Sequence, residues 1–302
     1  MNYKKPFYQV PTVIYGDNSI NRFNELLNSE NEKCLIVIDN ALDINNDKIA
    51  IIIPNLDYEI IFFDATSHEP CTWDIDMLTK KYYNSDFTCI VGIGGGSTMD
   101  VAKALSITLV NNQLSGSLQG WDLVKVKPIY KIGIPTIAGS GSEASRTAVL
   151  FDGKKKQGIN SRHSMFDAIV LDPTLTSSVL PDVSFYSAMD CYIHSVESIT
   201  GTMINNLSSS FAKQALDICQ NRFLDLDSNN CMTLASYFGG VSIVNSEVGI
   251  CHALSYGLSV MFDIRHGLAN CLVFQHLEEY YGNYVVDFKT MLKNKKISLP
   301  KA

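Results

Sequence analysis

The spacing of apolar residues changes character once along the chain. Up to Asp172-Pro173, short runs rich in β-branched residues alternate with longer stretches of helical spacing. Strands buried on both faces and joined by crossover helices give this alternation, so a parallel sheet is predicted. Its strands are expected at Cys34–Ile38, Ala50–Ile53, Glu59–Phe63, Thr88–Ile93, Lys131–Ile134, Ala148–Phe151 and Ala168–Leu171, with helices over Ile20–Leu27, Thr72–Tyr83 and Thr98–Val110. Beyond residue 173 apolar residues recur three or four apart, as in Leu207, Phe211, Ala215, Cys219 and Phe223, which is the period of a helix. Leu180-Pro181-Asp182 supplies a proline and a capping residue at the junction. The prediction is an α/β domain over residues 1–180 and an all-α domain over 181–302.

Composition narrows the function classes. A chain of 302 residues, 46% of them hydrophobic, can fill the cores of two medium domains. A net charge of -7, with Lys154-Lys155-Lys156 as its short basic run, argues against a nucleic-acid partner. The eight cysteines lie mostly in apolar stretches and form no CxxC pair, which reads as reduced core thiols of a cytoplasmic protein. No apolar leader precedes Val10, and no window approaches the roughly 18 uninterrupted apolar residues of a membrane span.

Two loops carry candidate nucleotide chemistry. Val91-Gly92-Ile93-Gly94-Gly95-Gly96-Ser97 follows a buried strand and opens a helix. Glycines let backbone N–H groups approach a ligand, and the helix N-terminus adds partial positive charge, so a pyrophosphate cradle is favoured over a bare tight turn. The spacing is not the usual GxGxxG, so the dinucleotide fingerprint is met only loosely. Ile134-Pro135-Thr136-Ile137-Ala138-Gly139-Ser140-Gly141-Ser142-Glu143 also leaves a strand. Its small hydroxyls suit a sugar, a phosphate or a nicotinamide amide, and equally a Ser/Gly surface turn. Asp39 ends the strand CLIVI, where a carboxylate accepts from ribose hydroxyls and favours NAD over NADP; a turn-forming role is the alternative.

The second half carries candidate metal chemistry. Asp190 and His194 stand four apart, on one face of a helix. His252 and His266 are separated by a stretch that reads as helix, glycine-containing loop and helix, so both imidazoles could meet at one point. Three histidines and a carboxylate form a set suited to iron or zinc. Glu197, one turn beyond His194, is either a partner orienting a ligand or a solvated helix-face carboxylate.

These phrases resemble the iron-containing alcohol dehydrogenases. The resemblance runs through Tyr15-Gly16, Asp39, GGGSTMDVAK at 94–103, IPTIAGSGSE at 134–143, LDP at 171–173, MDCYIH at 189–194, CHALSYG at 251–257 and RHGLAN at 265–270. It implies a Rossmann-like N-terminal domain and a helical C-terminal domain, the architecture shared with dehydroquinate synthases. It also implies that Asp190, His194, His252 and His266 are metal ligands. By the same resemblance Gly95, Gly96, Ser97 and Asp100 form the dinucleotide-phosphate loop, and Thr136, Ser140 and Ser142 line the nicotinamide and phosphates. Lys156 falls near the cofactor and active site. DGKKKQGINS, MDCYIHSVES and CHALSYGLS are similar to the 3-deoxy-manno-octulosonate (Kdo) 8-oxidase branch, which implies oxidation of the C8 primary alcohol of a sugar acid in lipopolysaccharide biosynthesis.

Two departures accompany the resemblance. Tyr256 stands where many members carry a second histidine, leaving the proton relay to its hydroxyl or to water. Family chains continue for a further helical stretch, so the helical domain is expected to be incomplete here. The implied reaction is hydride transfer from a metal-bound alkoxide to NAD. Arg265, Arg162 and Arg146 are candidates for a substrate carboxylate. A dehydroquinate synthase-like lyase and a non-catalytic member of the fold are the competing readings. An edge strand near Tyr8–Tyr15 would suit a homodimer.

Overall fold

The computed structural model describes residues 6–27, 33–43, 46–52, 57–65, 69–111, 113–177, 179–221 and 229–300. The chain divides into two compact units. One comprises Gln9–Ile137 and Ser142–Ser177, the other Met1–Tyr8, Ala138–Gly141 and Ser178–Ala302.

In the first unit the strands are β1 (Thr12–Tyr15), β2 (Lys33–Asp39), β3 (Asp57–Phe63), β4 (Cys89–Gly94), β5 (Gly120–Trp121), β6 (Tyr130–Pro135), β7 (Thr147–Phe151), β8 (Lys156–Asn160) and β9 (Ala168–Leu171), with helices α1 (Asp47–Ala50), α2 (Thr72–Tyr82) and α3 (Gly96–Asn111). Six strands form a parallel sheet in the order β1-β9-β6-β4-β2-β3. Cys34 to Ile38 of β2 are all buried, because a strand inside a parallel sheet is covered on both faces. The edge strands alternate instead: Ile14 of β1 is 6% exposed between Val13 at 37% and Tyr15 at 43%. Ala148–Phe151, expected in this sheet, falls within β7 of a separate sheet ordered β5-β8-β7, in which β7 and β8 run antiparallel.

Two further expectations are corrected. Ala50–Ile53 is not a strand over its described residues. The Asn46 side chain accepts from the Lys48 N–H at 3.1 Å and starts the short helix α1, a turn follows at Ile51 and Ile52, and Ile53 lies outside the described residues. The buried residues there are Ile49 and Ile52, three apart, so the apolar run has a helical period that its β-branched content concealed. Ile20–Leu27 is a 3-10 helix over Ser19–Leu26, and its buried Ile20, Phe23 and Leu26 recur every third residue, as three residues per turn require. Helix α3 reaches two residues further towards the glycines than its predicted start at Thr98. It packs closely on the sheet because Gly92 has no side chain: a Cβ there would lie 2.9 Å from that of Ala102.

The second unit holds α4 (Pro181–Thr200), α5 (Asn206–Asn221), α6 (Asn229–Val244), α7 (Ile250–Phe262), α8 (His266–Phe274), α9 (Glu278–Tyr281) and α10 (Asn283–Asn294). Pro181 opens α4, where its missing N–H costs no helical hydrogen bond. Helix α4 is central, buried continuously from Ala188 to Ser198 and packed against α5, α6, α7 and α8. The buried face of α5 is set by Ala212, Ala215, Leu216 and Cys219, while Leu207 is exposed; Phe223 lies outside the described residues. Ala138–Gly141 is bound into this unit rather than to the sheet. Gly139 has φ +151, and a Cβ on it would lie 1.9 Å from the Ser187 carbonyl oxygen, while the Gly141 N–H donates to Ser236 Oγ at 3.3 Å. All eight cysteines are free thiols, and no described helix is long and apolar enough to cross a membrane.

Candidate active site

Omitting its edge strand β1, the large sheet has its switch point between β2 and β4. The chain leaves β2 for β3 on one side and returns through β4 on the other. Ligands of such sheets bind outside the carboxyl ends of the strands at that point. Asp39 ends β2 and Gly94 ends β4, and a Cβ on Gly94 would lie 3.0 Å from that of Asp39 and 2.6 Å from Thr98 Oγ1. Gly94 has φ +159, which the absence of a side chain permits. Gly95 precedes α3, and Gly96 and Ser97 begin it, at the end where a helix leaves N–H groups free for an anion. Thr98 Oγ1 is buried without a hydrogen-bond partner among the described residues. These features fit a dinucleotide phosphate. The buried Asp39 carboxylate accepts from the Ala41 N–H at 2.9 Å, and burial raises its pKa.

Other predicted cofactor residues have different immediate partners. Both oxygens of Asp100 are engaged, Oδ1 by Ser142 Oγ at 2.7 Å and Oδ2 by the Val149 N–H at 3.1 Å. Its carboxylate shapes the second loop. Thr136, directly after β6, donates its N–H to the Gly94 carbonyl at 3.0 Å and ties the two loops together. Ser140 lies on the segment held by the helical unit. Lys156, on β8, forms an ion pair with Glu69 Oε1 at 2.6 Å.

Lys103 was not foreseen. Its ammonium is fully buried and donates to the Ser142 carbonyl at 2.6 Å, Ser142 Oγ at 2.9 Å, Ser145 Oγ at 3.0 Å and the Thr147 carbonyl at 2.9 Å. Burial pulls its pKa down to about 8 against the opposing charges of Asp100 and Glu143. The available signal was a lysine in an otherwise apolar and small-residue helix following the glycines.

In the helical unit, α4 contributes Asp190, His194 and Glu197, α7 contributes His252, and α8 contributes His266. The link between α7 and α8 is Asp263-Ile264-Arg265, with Asp263 left-handed at φ 53. It contains no glycine, contrary to expectation; Gly257 and Gly267 lie within the helices. Asp190 Oδ1 is 3.3 Å from His252 Nε2, 3.8 Å from His266 Nε2 and 3.9 Å from His194 Nε2. Donors about 2.1 Å from one tetrahedral ion stand roughly 3.4 Å apart, so these separations are close to a coordination shell. The donor atoms of Asp190, His252 and His266 all lie within 4.8 Å of one another. The His194 ring stacks on His252 with centroids 4.3 Å apart, and its Nδ1 has no hydrogen-bond partner among the described residues.

Glu197 is 1% exposed, so it is not a solvated helix-face carboxylate. It accepts from His252 Nδ1 at 2.6 Å, the Gly249 N–H at 2.9 Å, the Cys251 N–H at 2.8 Å and the Tyr281 hydroxyl at 3.0 Å. A proton held on Nδ1 leaves His252 Nε2 directed at Asp190. Burial opposes the charge on Glu197, but the His252 hydrogen bond and charge and the Gly249 N–H bring its pKa down to about 2. Burial likewise opposes ionisation of Asp190, yet the imidazoles of His194, His266 and His252 hold it well below the ordinary carboxylate range. For His252, burial is outweighed by hydrogen bonds to Asp190 and Glu197, and its pKa rises to about 9. Burial lowers His194 to about 4 despite the pull of Asp190. Two buried carboxylates surrounded by imidazoles call for positive charge, so the donor set fits a divalent cation.

Tyr256 packs its ring on His266, with centroids 5.4 Å apart. Asn270, which the residue pattern did not single out, reaches the same cluster: its Nδ2 is 2.6 Å from Asp190 Oδ1. Its place four residues after His266 was the available signal. Among the arginines, Arg265 is exposed and directly precedes His266 at the start of α8. Arg146 instead stacks on Trp121 at 4.9 Å and lies 3.7 Å from Asp122, and Arg162 is exposed on a 3-10 turn.

The chain is similar to sulfoacetaldehyde reductase of Bilophila wadsworthia (strain 3_1_6), with 29% identity over 280 residues covering 87% of this chain and 71% of that protein. Its fold is similar to that of 1,3-propanediol oxidoreductase (TM-score 0.85, 21% identity, 98% of this chain and 87% of that one). It is also similar to that of sulfoacetaldehyde reductase from Bifidobacterium kashiwanohense in complex with NAD+ (TM-score 0.84, 19% identity, 97% and 86%). The family model for iron-containing alcohol dehydrogenase matches residues 11–173, and that for the C-terminal part of the Fe-containing alcohol dehydrogenase family matches residues 184–298. With both models matched in order along one chain, the protein belongs to the iron-containing alcohol dehydrogenase family.

Proposed function

We propose that this chain is a metal-dependent, NAD-linked alcohol dehydrogenase in which Asp190, His194, His252 and His266 hold one divalent ion, iron or zinc. The observation that carries this reading is the convergence of buried Asp190 and His252 with half-buried His266 from three helices, their donor atoms within 4.8 Å of one another. When bound, the ion supplies a Lewis acid for the alcohol oxygen, while the nicotinamide accepts hydride from the attached carbon.

The chain's own residues do the rest. Glu197 holds the His252 ring and its Nδ1 proton in place. Tyr256, packed on His266, offers its hydroxyl to the alcohol proton, directly or through water. The Gly94–Ser97 turn receives the pyrophosphate, Asp39 the ribose hydroxyls, and Thr136, Ser140 and Ser142 the remaining polar edge of the cofactor. Lys103 and Asp100 hold Ser142 in position from within the protein.

The substrate we favour is a primary alcohol on an anionic molecule, specifically the C8 alcohol of Kdo. Support comes from the phrases DGKKKQGINS, MDCYIHSVES and CHALSYGLS. A further support is Arg265, an exposed guanidinium next to His266 and suited to a carboxylate. The Bilophila relative, named for a sulfonated aldehyde, is also in keeping with an anionic substrate. The test combines metal analysis of the purified chain with NADH absorbance during incubation with NAD+ and Kdo, using ethanol and 1,3-propanediol as uncharged comparisons. Bound metal and NADH formation with Kdo at a higher kcat/KM are expected. Equal rates with the uncharged alcohols would remove the sugar-acid reading, and metal-loaded protein inert towards all three would remove the dehydrogenase reading.

A further inference from the structure

One fully buried side chain has no part in the chemistry above. Asn270 is 0% exposed and lies one turn after His266 on α8. Its Nδ2 is 2.6 Å from Asp190 Oδ1, 3.1 Å from His252 Nε2 and 3.2 Å from His266 Nε2. Its Oδ1 has no hydrogen-bond partner among the described residues. The nitrogen belongs on the Asp190 side, because a carboxylate oxygen only accepts and would repel an amide oxygen at that distance.

The three atoms around this amide nitrogen are three of the donors assigned to the metal. We infer that Asn270 is a positioning residue whose amide holds Asp190 in the ligand cluster when no ion is bound and competes with the ion for the lone pairs of that carboxylate. The inference rests on the metal-site reading above. A buried carboxylate needs donors, and a hydrogen bond to a charged acceptor is among the stronger kinds. Without that amide, Asp190 on α4 would keep the His252 hydrogen bond from α7 but lose its short donor from α8. With it, the site is organised before the ion arrives, and apparent metal affinity is lowered by what the amide contributes to the metal-free protein. A purely structural asparagine would stabilise both forms alike.

The full chain, stripped by a chelator and titrated with Zn2+ by calorimetry, separates these roles, with thermal unfolding followed with and without Zn2+. Asn270→Ala is expected to lower the metal-free Tm by roughly 2–5 °C. It is also expected to tighten Zn2+ binding about tenfold, the worth of one hydrogen bond to a charged group. Asn270→Asp guards against an alanine variant that fails to fold. Its carboxylate repels Asp190 in the metal-free protein and attracts the ion, so Zn2+ should raise its Tm by more than it raises the wild type's. Weaker or unchanged Zn2+ binding in the variants, or equal Tm losses with and without Zn2+, overturns the inference while leaving the metal site in place. Wild-type protein that fails to bind Zn2+ overturns the metal-site reading and this inference together.

Discussion

In the α/β unit the buried Lys103 ammonium is surrounded by four oxygens, two from Ser142 in the second loop and one each from Ser145 and Thr147 beyond it. The buried cluster of the helical unit is finished differently: His194 Nδ1 and Asn270 Oδ1 have no partners among the described residues, and two carboxylates share a few imidazoles. A closed network holds a shape. An open one retains valence for a ligand, because a buried polar atom without a partner is costly unless something else engages it. Lys103 is therefore read as structural and the histidine cluster as receptive, although both are buried polar centres.

The sharpest way to break this contrast is Asp190→Ala. Metal content, read by elemental analysis, should fall to background, and turnover should fall at least about a thousandfold with the loss of several kcal/mol of Lewis-acid stabilisation. Retained metal would remove Asp190 from the shell. Lys103→Met should instead leave Zn2+ affinity per folded molecule unchanged while costing about 3–5 kcal/mol in urea unfolding, since it strands the half-buried Asp100 and the carbonyls of Ser142 and Thr147.

The same lysine predicts a pH dependence. Its folded pKa of about 8 lies below the ordinary value of 10.5. Between those values the unfolded chain binds the proton and the folded chain does not, so stability from this group rises with pH through that window and is lost as pH falls to 8. The stability gap between wild type and Lys103→Met should therefore widen from pH 8 to pH 10.5, by on the order of 3 kcal/mol. A flat gap would mean that burial does not strain the ammonium.

Glu197→Gln, which keeps the shape but not the charge behind His252, should weaken Zn2+ binding about 10–100-fold in the same calorimetric titration. The smallest effect is expected for Tyr256→Phe. Turnover should slow about tenfold with metal content unchanged, short of the roughly hundredfold or greater loss of a full general base because water can carry the proton. An unaltered kcat would assign the relay to water alone.

Much of the fold was legible because its signals are local. Strands such as β2 and β4 are continuous apolar runs, and the glycine loop is contiguous between a strand and a helix. Asp190 and His194 share a helix face, which four-residue spacing reveals directly. Ala50–Ile53 misled because its β-branched content and its burial period disagree, and only packing shows which prevails. Glu197 was undecided from spacing, since α4 is buried through most of its length and has little solvated face there. Asn270 carried no charge or metal-ligand signature, and Asp100 belonged to a phosphate-loop phrase although its oxygens are used by Ser142 and Val149.

By itself the sequence determined the two-part architecture, the strand–glycine–helix turn and the residue types able to bind a divalent ion, because periodicity, turn chemistry and donor chemistry are properties of neighbours along the chain. Tertiary structure decided that His252 and His266 join Asp190, that Glu197 lies buried behind His252 and that Asn270 reaches Asp190 and His252. Those relations join residues 18 to 80 positions apart, and the packing of helices around α4 brings them within hydrogen-bonding distance.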